Sequence, residues 1–105
     1  MTTSPNPARA GLANGDTVLG FGVRLTRTIE VVNLVAACGY DWLFIDLEHG
    51  PTSVETAADL CTAALAAGIA PLARMSEADY STAARMLDAG AWGILMPHIE
   101  QAADA

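Results

Sequence analysis

Asp41-Trp42-Leu43-Phe44-Ile45-Asp46-Leu47-Glu48-His49-Gly50-Pro51 carries the deciding pattern of this chain. An apolar run from Trp42 to Ile45 leads straight into two carboxylates and an imidazole, and a Gly-Pro turn follows. A short apolar run bounded by a turn signal predicts a fully buried strand of the kind found in parallel sheets. The carboxyl ends of such strands are where α/β folds assemble their active sites. A surface turn with solvated charges is the plainer alternative. Three adjacent titratable groups at the end of a buried strand favour a task, so Asp46, Glu48 and His49 mark a candidate site.

The same cycle extends in both directions. Thr17 to Val23 reads as a strand, preceded by a short helical segment from about Pro7 to Ala13 and a turn at Asn14-Gly15-Asp16. Thr28 is placed to cap a helix that runs to Cys38 and stops at Gly39. Beyond Gly50-Pro51, Thr52 and Glu55 have the spacing of a capping box, opening a helix to Ala67 that stops at Gly68. Ala70 to Arg74 is the third strand. Glu77-Ala78-Asp79 opens a further helix to about Ala89, Gly90 stops it, and Gly93 to Met96 gives the fourth strand, closed by Pro97-His98. Ile99 to Ala105 begins one more helix.

Short apolar strands alternating with helical stretches predict an α/β fold with a parallel sheet and right-handed crossovers. Reactive groups collect where the strands end, at Asp46-Glu48-His49, Arg74 and His98, whereas the strand starts are plain. That is the habit of (β/α) barrels and of doubly wound sheets alike. Four strands make half a (β/α)₈ barrel, so residues 1–105 read as a single partial domain. The pattern breaks off within a cycle at Ala105, without a cap or closing glycine, which predicts a truncated sequence.

With 105 residues the chain holds at most one domain, and 52% hydrophobic residues suffice for a packed core. A net charge of −7 argues against nucleic acid and anionic membrane partners. No apolar run approaches the length of a membrane span, and the polar stretch Met1 to Asn6 is not a signal peptide, so the cytoplasm is the expected location. Cys38 and Cys61 have neither CxxC spacing nor partner histidines and are expected to be buried free thiols. All five basic residues are arginines. Without a lysine no Schiff base can form, and carbanion chemistry here would need a metal or another electrophile.

Five ordered blocks now carry a resemblance: Gly39-Tyr40-Asp41-Trp42, Asp46-Leu47-Glu48-His49-Gly50-Pro51, Pro71-Leu72-Ala73-Arg74, Leu87-Asp88-Ala89-Gly90-Ala91 and Met96-Pro97-His98-Ile99-Glu100. Together they resemble the HpcH/HpaI aldolase and citrate lyase family, specifically its metal-dependent pyruvate aldolases, over almost the whole chain after Gly20. The resemblance implies a (β/α)₈ TIM barrel that cleaves 4-hydroxy-2-oxo acids to pyruvate and an aldehyde. It implies a divalent metal (Mg²⁺, Mn²⁺ or Co²⁺), a small-molecule 2-oxo acid as substrate, and a homo-oligomer in the full-length enzyme.

By the same resemblance His49 matches the active-site base, and a near-neutral imidazole suits proton transfer. Its alternative is a histidine that merely fixes the turn. Arg74 matches the arginine that stabilises the enolate, a role for a fixed guanidinium; a salt bridge to Asp46 or Glu48 is compatible with it. Asp88 matches the carboxylate that raises the basicity of the histidine. It falls in a last helical turn, at the end of a barrel away from His49, so either the helix boundary lies elsewhere, or Asp88 reaches His49 from a neighbouring subunit, or it is a solvated helix-end residue. The family's two metal-ligating acids lie on later strands. Asp46 and Glu48 are placed as supporting or water-holding residues, not ligands, so no metal ligand is expected within this chain. His98 is read as a loop-structuring residue, and Met75, Met86 and Trp92 as core or interface filler.

Two other readings compete with an aldolase half that is inactive alone. One is a small flavodoxin-like binding or signalling module; the other is a non-catalytic barrel fragment. The flavodoxin-like module would need a fifth strand and a closing helix, which 105 residues do not supply, and the strand count together with the place of the carboxyl terminus separates the three readings.

Overall fold

Leu43 and Ile45, both fully buried, alternate along one strand with the half-buried Trp42 and Phe44, and this period-2 pattern gives the sheet two unlike faces. The computed structural model describes residues 6–105, so of the polar stretch read at Met1 to Asn6 only Asn6 is covered. Its elements are α1 (Pro7–Ala13), β1 (Gly20–Val23), α2 (Glu30–Ala37), β2 (Trp42–Asp46), α3 (Val54–Ala66), β3 (Ala70–Arg74), α4 (Tyr80–Asp88) and β4 (Gly93–Leu95), followed by a 3₁₀ turn at Ala102–Asp104. All strand pairs are parallel, in the order β1-β2-β3-β4.

That order decides between the fold readings. A flavodoxin-like sheet places its first strand between the second and third. Here each strand pairs with the next in sequence, which is barrel winding. The flavodoxin-like alternative is therefore wrong.

The helices pack on the face that carries Leu43 and Ile45. Val23, Val32 and Val35 meet Leu60, Cys61 and Ala64 there, with Met75 and Met86 closing the cluster. Trp42 and Phe44 line the opposite face, edge to face at 6.3 Å. The expectation of a strand buried on both faces thus holds only for the helix side. A Cβ on Gly20 would come within 2.1 Å of the Trp42 ring, so only glycine lets that indole lie across β1.

The strands Trp42–Asp46 and Ala70–Arg74 match their predicted bounds, and the stops at Gly39, Gly68 and Gly90 all take positive φ. The helix starts differ. Thr28 does not cap α2 with its side chain; Ile29 holds the cap position without a side-chain bond, and only the Thr28 carbonyl accepts, from Val31 N–H. Ser53, not Thr52, caps α3 by accepting from Thr56 N–H at 3.1 Å. Asp79 caps α4, and its bonds from the Thr82 hydroxyl and from the amides of Ser81 and Thr82 lower its pKa. β1 begins at Gly20 rather than Thr17, because the Asp41 carboxylate takes the Leu19 N–H at 2.9 Å. β4 ends at Leu95 rather than Met96, and the segment expected to open a helix after Ile99 forms only the 3₁₀ turn.

Cys61 is buried, and burial pushes its thiol up to about 12, so it stays protonated and inert. Cys38 is exposed, against expectation, because it sits at the carboxyl cap of α2. Among the described residues no helix is long and apolar enough to cross a membrane.

Candidate active site

The strand register builds the site. Asp46 is the partner of Arg74 across β2 and β3, and Val23 is the partner of Ile45, which sets Arg24 beside Asp46 as β1 ends. Arg24, Asp46 and Arg74 therefore stand in one row at the carboxyl end of the sheet. Asp46 is 1% exposed and accepts every bond its oxygens are offered. Oδ1 takes the amides of Glu48 at 2.9 Å and His49 at 3.1 Å, and Arg74 Nε at 3.1 Å. Oδ2 takes Arg74 Nη2 at 2.6 Å. The Arg74 side chain, opposed by burial but helped by the two backbone amides, holds the Asp46 carboxyl down at about 2.

This bidentate pair orients Arg74, whose guanidinium carbon also lies 5.3 Å from the centre of the Phe44 ring. Arg74 is thereby fixed as a planar cation between Asp46, Glu48 and the Phe44 ring. Its bond to Asp46 raises its pKa further, so it keeps its charge at any working pH.

Glu48 gathers the second half of the site. Its side chain is only 9% exposed, with Oε2 3.3 Å from Arg74 Nε and Oε1 shared between two imidazoles, His49 Nε2 at 3.3 Å and His98 Nε2 at 2.7 Å. His98 reaches that position with φ of 59°, a left-handed conformation uncommon outside glycine and often found where function requires it. A cleft of about 250 Å³ lies alongside, lined by Ser76, Glu77, Pro97, His98 and Asp104 among others.

The loop that carries His49 is fastened at several points. Arg24 Nη2 donates to the His49 carbonyl at 2.9 Å, and Thr52 Oγ1 donates to the Arg24 carbonyl at 3.2 Å. A Cβ on Gly50 would stand 2.7 Å from that carbonyl, so the close approach requires glycine. His49 itself keeps a 57% exposed side chain on this fixed backbone.

The structure thus brings His49, Arg74, Asp46 and Glu48 together. It does not bring Asp88 to them. Asp88 is the last residue of α4, which ends at the amino side of the sheet, and it is exposed, with no side-chain hydrogen bond or ion pair among the described residues. Within one copy the carboxylate facing His49 is Glu48. Arg24 and the contact of His98 with Glu48 were missed from the sequence. Arg24 could have been found by asking which residue follows each apolar strand run.

The donor set fits a metal poorly. Among the described residues no group of three or more His, Cys, Asp or Glu side chains is arranged to hold an ion. The Asp46 oxygens are occupied by N–H donors, and both Glu48 oxygens face cations or imidazoles. These carboxylates organise Arg74 and His49.

Known proteins resemble this chain over most of its length. The family model for HpcH/HpaI aldolase/citrate lyase matches residues 26–105. The chain is 40% identical over 94 residues to the 4-hydroxy-4-methyl-2-oxoglutarate aldolase cghB of Chaetomium globosum, covering 89% of this chain and 35% of that protein. It is 34% identical over 100 residues to the 2-keto-3-deoxy-L-rhamnonate aldolase of Salmonella gallinarum, covering 95% of this chain and 37% of the relative. The crystal structure of an HpcH/HpaI aldolase from Desulfitobacterium hafniense superposes with a TM-score of 0.84 at 28% identity, over 91% of this chain and 37% of that one. The chain therefore spans about a third of the length of the relatives it matches, and its four strands correspond to the amino-terminal part of their TIM barrel.

Proposed function

Because the chain belongs to the HpcH/HpaI aldolase/citrate lyase family, we propose that it supplies part of the active site of a class II aldolase that cleaves a 4-hydroxy-2-oxo acid to pyruvate and an aldehyde. Residues 1–105 then form part of a single barrel domain, acting in the cytoplasm on a small molecule, with no nucleic acid or membrane partner. The observation that carries the reading is the row Arg24, Asp46, Arg74 beside His49 at the carboxyl ends of barrel strands. The relatives support it, being named as aldolases of 2-oxo and 2-keto acids.

In the cleavage direction His49 takes the proton of the C4 hydroxyl. The C3–C4 bond breaks, its electron pair moves into the C2–C3 bond, and the aldehyde departs. The remaining enolate carries negative charge on its C2 oxygen. Arg74, held planar by Asp46, presents a fixed positive group to that oxygen and needs no rearrangement as the charge develops. The His49 imidazolium then returns its proton to C3 of the enolate, directly or through water, giving pyruvate and restoring the base. Glu48 restrains the His49 ring.

A divalent cation (Mg²⁺, Mn²⁺ or Co²⁺), when bound, would polarise the 2-oxo group. The engaged carboxylates of Asp46 and Glu48 leave its ligation to residues outside this stretch. Asp88 acts on His49 from a neighbouring copy in a homo-oligomer, because the two residues occupy opposite ends of one sheet.

The test is pyruvate release from a series of 4-hydroxy-2-oxo acids by the intact protein with Mn²⁺ or Mg²⁺. Release that His49→Ala and Arg74→Ala suppress supports the reading; no release from any member of the series overturns it. Residues 1–105 alone should release none under the same conditions. Chelator-sensitive turnover by that piece would show that it holds a metal site of its own.

A further inference from the structure

Arg24 combines a fixed backbone with an open charge. Its side chain and its carbonyl are both fastened to the His49 loop, through the His49 carbonyl and the Thr52 hydroxyl. Yet the side chain is 61% exposed, and the nearest carboxylate oxygen, Asp46 Oδ2, is 3.7 Å away, beyond hydrogen-bond range. Arg74 Nη2 already holds that oxygen at 2.6 Å. Asp46 is thus committed to Arg74, and Arg24 adds a second, incompletely paired cation. Because Arg24 Nε and Arg74 Nη2 flank one oxygen atom, they stand within roughly 6 Å of each other.

A guanidinium anchored through one nitrogen keeps its other N–H groups in a fixed fork, and that fork matches a carboxylate. Two such cations at this spacing suit a substrate with an anionic group at each end. We propose that Arg24 is a specificity-determining residue that binds a second carboxylate of the substrate, so that the preferred substrates are 2-oxo diacids. The inference rests on the aldolase reading for the reacting half of the molecule. Arg74 faces the oxygen of the pyruvate half, and Arg24 the carboxylate carried by the departing carbonyl half.

Arg24 also braces the His49 loop, and a purely structural role would lower activity on every substrate alike. The experiment separates the two by ratio. KM and kcat are measured on the intact protein for two 4-hydroxy-2-oxo acids that differ only in a terminal carboxylate. Arg24→Gln should raise KM for the diacid by about 10- to 100-fold, the worth of a charge-assisted bond, and far less for the monoacid. Arg24→Lys should restore part of the preference. Equal losses on both substrates would overturn the proposal.

A binding measurement keeps the two readings apart. Calorimetry with 2-oxoglutarate and 2-oxopentanoate should show tighter binding of the diacid to the wild-type protein, and Arg24→Gln should abolish that preference. No preference in the wild type overturns the role of Arg24. Diacid preference without cleavage of any hydroxy acid overturns the aldolase reading alone.

Discussion

At the carboxyl ends of β1, β2 and β3 the charged residues interlock, whereas at the amino ends of the same strands the chain is mostly turning. Arg24, Asp46, Glu48, His49 and Arg74 form one hydrogen-bonded and ion-paired cluster at the first end. At the second, Gly39, Gly68 and Gly90 end helices with positive φ, and Asp88 stands exposed at the close of α4. The amino end meets its polar requirements mainly through backbone turns, with the Asp41 carboxylate taking the Leu19 N–H. The carboxyl end holds two buried or nearly buried carboxylates whose pairing depends on particular cations. The candidate site therefore lies at one end of the sheet, where its buried ion pair also contributes to stability.

Arg74→Ala should give the largest effect, because it acts on both counts. Removing a fixed donor to a developing oxyanion costs about 10²- to 10³-fold in kcat. It also strands the Asp46 carboxylate in a buried site, a loss of about 3–5 kcal/mol of stability measured by denaturant unfolding. The double variant Asp46→Ala/Arg74→Ala should recover much of the stability and none of the activity. Recovery of both would erase the distinction between the two ends.

Leu43→Ala probes the helix-packed face alone. Leu43 is fully buried against the helices, so truncation should cost about 2–5 kcal/mol in stability. Its kcat, measured on the folded fraction, should stay close to that of the wild type. A collapse of kcat would mean that the core face and the site are mechanically coupled.

Acid should weaken the carboxyl end through Asp46. Its pKa is lowered from 3.8 to about 2, so the folded state favours the ionised form. The stabilisation is complete above pH 4 or so and is lost as the pH falls through the folded value, amounting to about 2 kcal/mol. Unfolding followed between those limits should show this slope in the wild type, and Asp46→Asn should remove it.

Asp88→Asn should give the smallest effect: unchanged folding, since the residue is exposed, and a modest fall in rate with a shift in the pH profile. Mixing Asp88→Asn chains with His49→Ala chains sharpens it. Partial return of activity is expected if Asp88 serves a neighbouring copy. No return would confine each copy to its own residues, leaving Glu48 as the carboxylate that faces His49 among the described residues.

Much of this was legible in the sequence for a physical reason. β2 and β3 are dense apolar runs ended by a charge, and the glycines after α2, α3 and α4 occupy positions that side chains resist, so local composition sufficed. The helix starts were not legible. Thr28 and Thr52 offer the hydroxyl that a cap needs, yet the Thr52 hydroxyl is taken by the carbonyl of Arg24, distant in sequence and adjacent only once the sheet forms. Arg24 was hidden for a related reason. Its strand is short and glycine-rich, and what marks the residue is register with Asp46, which no local window displays. The resemblance supplied Asp88; only the fold shows how far it lies from His49 within one copy.

In the proposed reaction the fixed Arg74 at the strand ends stabilises an enolate of pyruvate. Exchange of the pyruvate methyl protons in D₂O tests it without knowledge of the aldehyde. The intact protein with Mn²⁺ should wash deuterium into the methyl group, and Arg74→Ala should abolish the exchange while Leu43→Ala retains it. Exchange that persists in Arg74→Ala, or its absence from the wild type, would contradict the account.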